Sequence, residues 1–178
     1  MPLALYRRFI ADCAKHRVNR QGLASGRPAV YRGASFAWEH ARKMAYWLMK
    51  SEPFKYSWDD LVAEGEGTWD GVRNYLARNN LMAMQPGDEA FFYHSREGLE
   101  IVGIAEITVT GIGDPTDETG KWAAVKLKAK EKFPRAVTLA AIKAEPRLAE
   151  MQLIRLSRLS VCAVTPEEWA VIREMAGA

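Results

Sequence analysis

The side chains best suited to chemistry in this sequence are aromatic rings placed beside amides and hydroxyls. Six tryptophans among 178 residues are a heavy load, and five of them follow residue 43. Trp47 precedes Lys50-Ser51, Trp69 precedes Asp70, and Trp122 follows Gly120-Lys121, so each lies close to polar residues at a turn. Asn74, Asn79 and Asn80 add amides that donate and accept at once. Tyr93, His94 and Ser95 put three hydrogen-bonding tips in a row at the end of an aromatic segment. Flat aromatic walls with a few such groups suit a flat heteroaromatic ring such as a nucleobase. Stacking is then worth about 1–3 kcal/mol per base, and edge hydrogen bonds supply discrimination. The same residues also fit a core in which Trp and Tyr bond through their polar tips, and on composition alone that reading is the stronger.

Other chemistry is thinly represented. There is no GxxxxGK[ST], GxGxxG or GxSxG pattern, which argues against a P-loop, a dinucleotide fold and a serine-hydrolase elbow. Asp59-Asp60 falls at a helix start, where carboxylates cap amides and favour the dipole rather than serve acid–base catalysis. Cys162 lies in an apolar strand as a buried thiol. Neither it nor Cys13 belongs to a CxxC pair, so a reducing compartment is expected. His16, His40 and His94 are too dispersed for a local metal motif. No cofactor, metal or catalytic residue is therefore expected, and no apolar run approaches the roughly 18 residues that span a bilayer.

Charge divides the chain. Residues 1–43 carry nine basic and two acidic residues, a net +7, whereas 44–178 carry 16 basic and 20 acidic, a net −4. The front segment is expected to be a flexible extension, with translation starting upstream of a natural Met44; a basic arm for phosphate is the alternative. From Met44 the pattern sharpens. Ala45–Lys50 reads as a strand stopped at Ser51-Glu52-Pro53, and Ser57 caps a short helix with Asp60 three residues on. Gly65 and Gly67 open a loop holding Trp69-Asp70-Gly71, and one or two short helices follow over 72–84. Strands are predicted at 89–94, 99–111 and 122–133, the last ending at Pro134. Helices are expected at 138–145 and near 146–150, and a late strand at 159–164. Thr165, Pro166 and Glu168 then open a final helix. This is an α+β pattern around a twisted, barrel-like sheet.

Three segments are familiar together: Tyr46-Trp47-Leu48-Met49-Lys50-Ser51-Glu52-Pro53, Trp69-Asp70-Gly71-Val72-Arg73-Asn74-Tyr75-Leu76-Ala77-Arg78-Asn79, and Phe91-Phe92-Tyr93-His94-Ser95. Residues 44–175 resemble the EVE domain family, which includes the thymocyte nuclear proteins. Gly103-Ile104-Ala105, Lys121-Trp122 and Arg158-Leu159-Ser160-Val161 fall in the expected order. The chain departs from that family's habits at Ile112-Gly113-Asp114-Pro115, at Lys126 and at Leu156. These positions belong to the loop and rim.

The resemblance implies a PUA-like pseudo-barrel of mixed strands with short peripheral helices, filling 44–178. It implies a non-enzymatic reader of a modified base, chiefly a modified cytosine such as 5-methylcytosine in DNA. Carried onto this chain, the base pocket comprises Ser51, Trp69, Asn74, Tyr93, His94, Ser95 and Trp122, with Trp69 stacking on the ring and Ser51 and Asn74 on its edge. Arg73, Arg78 and Arg96 lie near that pocket as candidate phosphate contacts. The stripe Lys126, Lys128, Lys130 and Lys132 reads first as a solvated or edge-protecting face. An RNA-modification module, a modified-nucleotide sensor and a hydrolase acting on a modified nucleotide are the alternatives. Bacterial members of the family lie near restriction and defence functions, so partner nucleases are expected. The expected compartment is the cytoplasm in a bacterium, and the nucleus or mitochondrion in a eukaryote.

Overall fold

The computed structural model describes residues 44–178; the extension expected at 1–43 lies outside the described residues. Strand β1 (Tyr46–Ser51) ends in a turn where the amides of Lys55 and Tyr56 both donate to the Glu52 carbonyl. Helix α1 (Trp58–Glu64) begins at the expected capping box: the Ser57 hydroxyl accepts from the Asp60 amide and the Asp60 carboxylate accepts from the Ser57 amide. Strand β2 (Gly67–Trp69) and helix α2 (Tyr75–Ala83) follow, then β3 (Glu89–His94), β4 (Glu100–Gly113) and β5 (Ala123–Thr138). Helix α3 (Leu139–Ala144), a 3-10 turn (Pro146–Leu148) and α4 (Gln152–Arg155) lead to β6 (Val161–Val164). Helix α5 (Pro166–Ala176) closes the chain, with Thr165 and Glu168 forming its capping box and Pro166 in its first turn.

The six strands form one mixed sheet in the order β2-β5-β4-β3-β1-β6. Strands β1 and β3 are parallel and joined by the crossover through α1, β2 and α2, while the other neighbours are antiparallel. The β4–β5 ribbon carries four register shifts. Each such irregularity bends and over-twists its strand, and in series they curl the sheet. Its edges, β2 and β6, are not hydrogen-bonded to each other, so the curl stops short of a closed barrel. Helix α2 packs against β5 and β6, and Asn80 Nδ2 donates to the Val161 carbonyl at 2.8 Å, fastening it to the β6 edge.

Two of the sequence expectations shift for clear reasons. The segment 67–69, expected as loop, becomes β2 by pairing with Val125–Leu127. Strand β5 runs through Pro134 instead of ending there. Residues 133–136 face Val102 alone between the pairs Gly103–Lys132 and Ile101–Val137, so the missing proline amide falls in a bulge where no ladder bond is lost.

Most of the tryptophans are core. Trp169 of α5 stacks on Phe91 at 3.9 Å and on Tyr46 at 4.3 Å between ring centroids, clamping the last helix onto the sheet. Trp58 of α1 meets Phe92 edge-on at 5.6 Å. Trp47 donates its Nε1 to the buried Asp88 carboxylate, which also accepts from the amides of Ala45 and Gln85. Cys162 is fully buried, and burial pushes its thiol up to about 11. No helix among the described residues is long and apolar enough to cross a membrane.

Gly103 leaves room for Trp58 of α1 against the sheet. A Cβ there would lie 2.5 Å from the Glu131 carbonyl oxygen and 2.7 Å from the Trp58 ring. Gly103→Ala is therefore expected to destabilise the domain by about 1–3 kcal/mol, through overpacking against backbone that cannot yield. A lower urea midpoint at unchanged slope is the measurement that checks it.

Candidate functional site

The curl leaves a seam, and the seam holds a cleft of about 880 Å³. One bank is the end of β1 with the turn after it and Ser95 and Arg96 beyond β3; the other is Thr68-Trp69 of β2 with the loop to Asn74. Residues 157–160, just ahead of β6, close the end. Five basic side chains line it against Glu52 and Asp70, so the cleft is locally cationic in a body of net −4.

Six of the residues singled out in the sequence meet here: Ser51, Trp69, Asn74, Ser95, Arg73 and Arg96. Their hydrogen-bonding capacity is already partly committed. Ser51 Oγ donates to the Tyr56 carbonyl at 2.6 Å, and Ser95 Oγ donates to the Ser51 carbonyl at 3.0 Å. Each hydroxyl thus faces any ligand as an acceptor. Asn74 is the N-cap of α2, its Oδ1 accepting from the Leu76 and Ala77 amides at 2.9 and 3.1 Å. Its NH₂ end is what remains for a ligand. Trp69 is only 7% exposed, held edge-on by Phe92 at 5.5 Å and Tyr56 at 6.4 Å, and it forms floor rather than a free-standing wall. Gly67 makes room for Tyr56, since a Cβ there would lie 1.9 Å from the phenol oxygen.

The loop 70–74 is held from behind by Asp114. This buried carboxylate accepts from the Gly71 amide at 2.9 Å, Arg73 Nη1 at 2.6 Å, and the Thr116 amide and hydroxyl at 2.8 and 2.6 Å. Burial alone would raise its pKa, but the Thr116 hydroxyl, Arg73 and the two amides outweigh it and hold the carboxyl below its ordinary range. Asp70 moves the other way, raised by burial and by the Asp114 charge. Arg73, expected on phosphate, spends its guanidinium on Asp114 and Thr116. Arg96 sits in the left-handed region at φ 65° and pairs with Glu52 at 2.5 Å, as Lys55 does at 2.7 Å.

The other predicted residues lie elsewhere. Tyr93 is buried, 2% exposed, and does not line the cleft. His94 also lies outside it: its Nε2 accepts from the Trp58 amide at 3.3 Å, capping α1, and its ring meets Phe92 edge-on. Trp122 packs against Tyr75 at 5.0 Å between centroids, beyond the 70–74 loop, and Arg78 lies over the same pair of rings. In the lysine stripe each ammonium has its own carboxylate: Lys126 with Glu66, Lys128 with Glu106, Lys130 with Glu89, and Lys132 with Asp59. The stripe is self-neutralised. Among the described residues no group of three or more His, Cys, Asp or Glu is placed to hold a metal ion.

Lys50, Arg158, Ser160 and Tyr56 line the cleft without having been singled out. Lys50 Nζ donates to the Ser157 carbonyl at 3.0 Å, bridging 107 positions of sequence, and burial lowers its pKa. Arg158 has no ion pair or hydrogen bond among the described residues and leaves its charge to the cleft. The one signal for it was its place in the run Arg158-Leu159-Ser160-Val161, which carries no chemistry of its own.

The EVE domain family profile matches residues 45–175. Thymocyte nuclear protein 1 from Mus musculus is 36% identical over 161 residues, covering 71% of this chain and 71% of its own. A solved structure of Rpa0253 from Rhodopseudomonas palustris is 54% identical, with a TM-score of 0.72 over 75% of this chain and 94% of that one. The human THYN1 protein, solved in complex with 5-methylcytosine-containing DNA, is 33% identical, with a TM-score of 0.70 over 75% and 98% of the two chains.

Burial holds the His94 imidazole below its ordinary pKa, against the opposing pull of Glu100 and Asp59, so the unfolded chain binds that proton more tightly. The stabilisation is complete above the unfolded pKa near ~6.5 and is lost as pH falls through the lower folded value. Melting at pH 7.5 and 5.5 is expected to show a larger drop for the natural protein than for His94→Gln, which keeps an acceptor but does not titrate. Asp114→Ala strands Arg73 and the Gly71 amide, and is expected to cost about 1–3 kcal/mol in urea unfolding.

Proposed function

The chain belongs to the EVE domain family, and from that membership we propose that it is a non-enzymatic reader of nucleic acid that takes a modified base, most directly 5-methylcytosine in DNA, into the cleft. The observation that carries this reading is the cleft's polarity: an aromatic floor, hydroxyl acceptors on one bank, amide donors on the other, and unpaired positive charge at its end. A volume of about 880 Å³ leaves room for sugar and phosphate beside a base. A cytosine ring presents one amino donor and two acceptors along its pairing edge. Ser51 and Ser95 accept from the amine, the Asn74 NH₂ donates to the ring acceptors, and Trp69 and Tyr56 lie against the face. Lys50, Arg96 and Arg158 meet the phosphates. Tyr93 and His94 serve from beneath, as supports of the strand end and of α1.

The same bonds argue for binding rather than turnover. Ser51 and Ser95 already direct their hydroxyl protons at backbone carbonyls, and His94 is turned to the Trp58 amide. Among the described residues no serine hydroxyl of the cleft is hydrogen-bonded to a carboxylate, imidazole or amine. The relationship to a protein solved on 5-methylcytosine DNA supports the choice of ligand.

Asn74→Asp separates the site from the fold. Aspartate caps a helix as well as asparagine, but it removes the NH₂ donor from the cleft. The full chain is expected to bind DNA carrying 5-methylcytosine more tightly than unmodified DNA or matched RNA. In Asn74→Asp the affinity for the 5-methylcytosine strand falls roughly tenfold, the worth of a good base-edge contact, with the melting temperature unchanged. Equal affinity for modified and unmodified strands, indifferent to the substitution, would sink the reading. Fluorescence anisotropy at two salt concentrations provides the measurement.

A further inference from the structure

Next to the cleft, beyond its 70–74 loop, stands an aromatic pair that the core does not use. Tyr75, the first residue of α2, is 62% exposed, and its ring lies 5.0 Å from that of Trp122 at a tilt of 33°. Arg78, one turn along the helix, places its guanidinium 5.0 Å from the Tyr75 centroid and 5.9 Å from that of Trp122. Arg73 approaches the other ring at 5.6 Å. Arg78 is fixed in place by hydrogen bonds to the Lys121 carbonyl and to Asn79 Oδ1, yet no carboxylate among the described residues pairs with it. Its charge is left free, in contrast to the four neutralised lysines of β5.

A tilted pair of rings, one exposed and one half-buried, thus lies under an unneutralised guanidinium outside the hydrophobic core. It matches a nucleotide, whose base offers a π-face to the rings and whose phosphate offers an anion to Arg78. The platform is continuous with the cleft through Arg73 and Asn74, which line the cleft immediately before Tyr75. We propose that Tyr75 and Trp122, with Arg78, form a stacking platform for the base adjacent to the one held in the cleft, so that the protein engages two successive nucleotides of a strand splayed from its duplex. This rests on the reading of the cleft given above, and it moves Trp122 from the base pocket, and Arg78 from its phosphate contacts, to a second subsite.

A double-mutant cycle tests it. Short DNA strands carrying one 5-methylcytosine are titrated into the full chain with the neighbouring base intact, or replaced by an abasic residue on the 5′ or the 3′ side. The natural protein is compared with Tyr75→Ala and Tyr75→Phe. Stacking of one base corresponds to a roughly tenfold change in affinity. At one of the two flanks, the abasic residue and Tyr75→Ala are each expected to cost that factor, the two together no more than either alone, and Tyr75→Phe is expected to restore affinity. Because Tyr75 is exposed, all variants are expected to melt with the natural protein. Modification-dependent binding with simple additivity at both flanks overturns the platform and leaves the cleft reading intact. Absence of modification-dependent binding in the natural protein overturns both.

Discussion

The Asp114 carboxylate is fully buried, with two amides, a hydroxyl and a guanidinium directed at it. Removing a carboxylate from water is costly, and it persists here because its lone pairs are met by donors, one of them charged. Those donors come from both sides of the seam's outer bank: Gly71 and Arg73 from the loop after β2, and Thr116 from the turn after β4. Asp114 therefore fixes the loop that carries Asp70 and Asn74, the start of α2, and the Arg73 guanidinium beside Trp122. Both the cleft and the aromatic pair next to it hang from this one charge.

The sheet supplies the other constraint. The edge strands β2 and β6 do not pair, and Thr68-Trp69 of β2 and the segment ahead of β6 line the cleft instead. Asp88 plays for the β1 bank the part that Asp114 plays for the opposite one, joining the Ala45 and Gln85 amides to the Trp47 indole. The cleft can thus be polar while the rings beneath its Trp69 floor, Phe92 and Trp58, stay buried.

What could be read from the sequence was what is local. The capping boxes at Ser57 and Thr165 are decided within four residues, and both form. Strand β2 depends on Val125–Leu127, nearly sixty residues away, so its three residues read as loop. Pro134 signals a strand end unless a bulge removes the need for its amide, and that is a property of the pairing with β4. The candidate site divides along the same line. Ser51, Trp69, Asn74 and Ser95 share the cleft, whereas Tyr93 and His94, adjacent to Ser95 in sequence, do not. Successive strand residues point to opposite faces, so His94 turns with Phe92 toward α1, while Tyr93 is taken up by the core. Lys50 and Arg158 were silent because their juxtaposition is purely tertiary.

The two serines at the strand ends carry one more consequence. A free hydroxyl rotates, and a ligand that needs its lone pairs must stop that rotation. Ser51 and Ser95 are already stopped, their protons bound to the carbonyls of Tyr56 and Ser51. The entropy of orienting them is lost when the chain folds, before anything arrives. Contact at this bank of the cleft is in that sense preorganised, and a ligand gains there without first having to impose order.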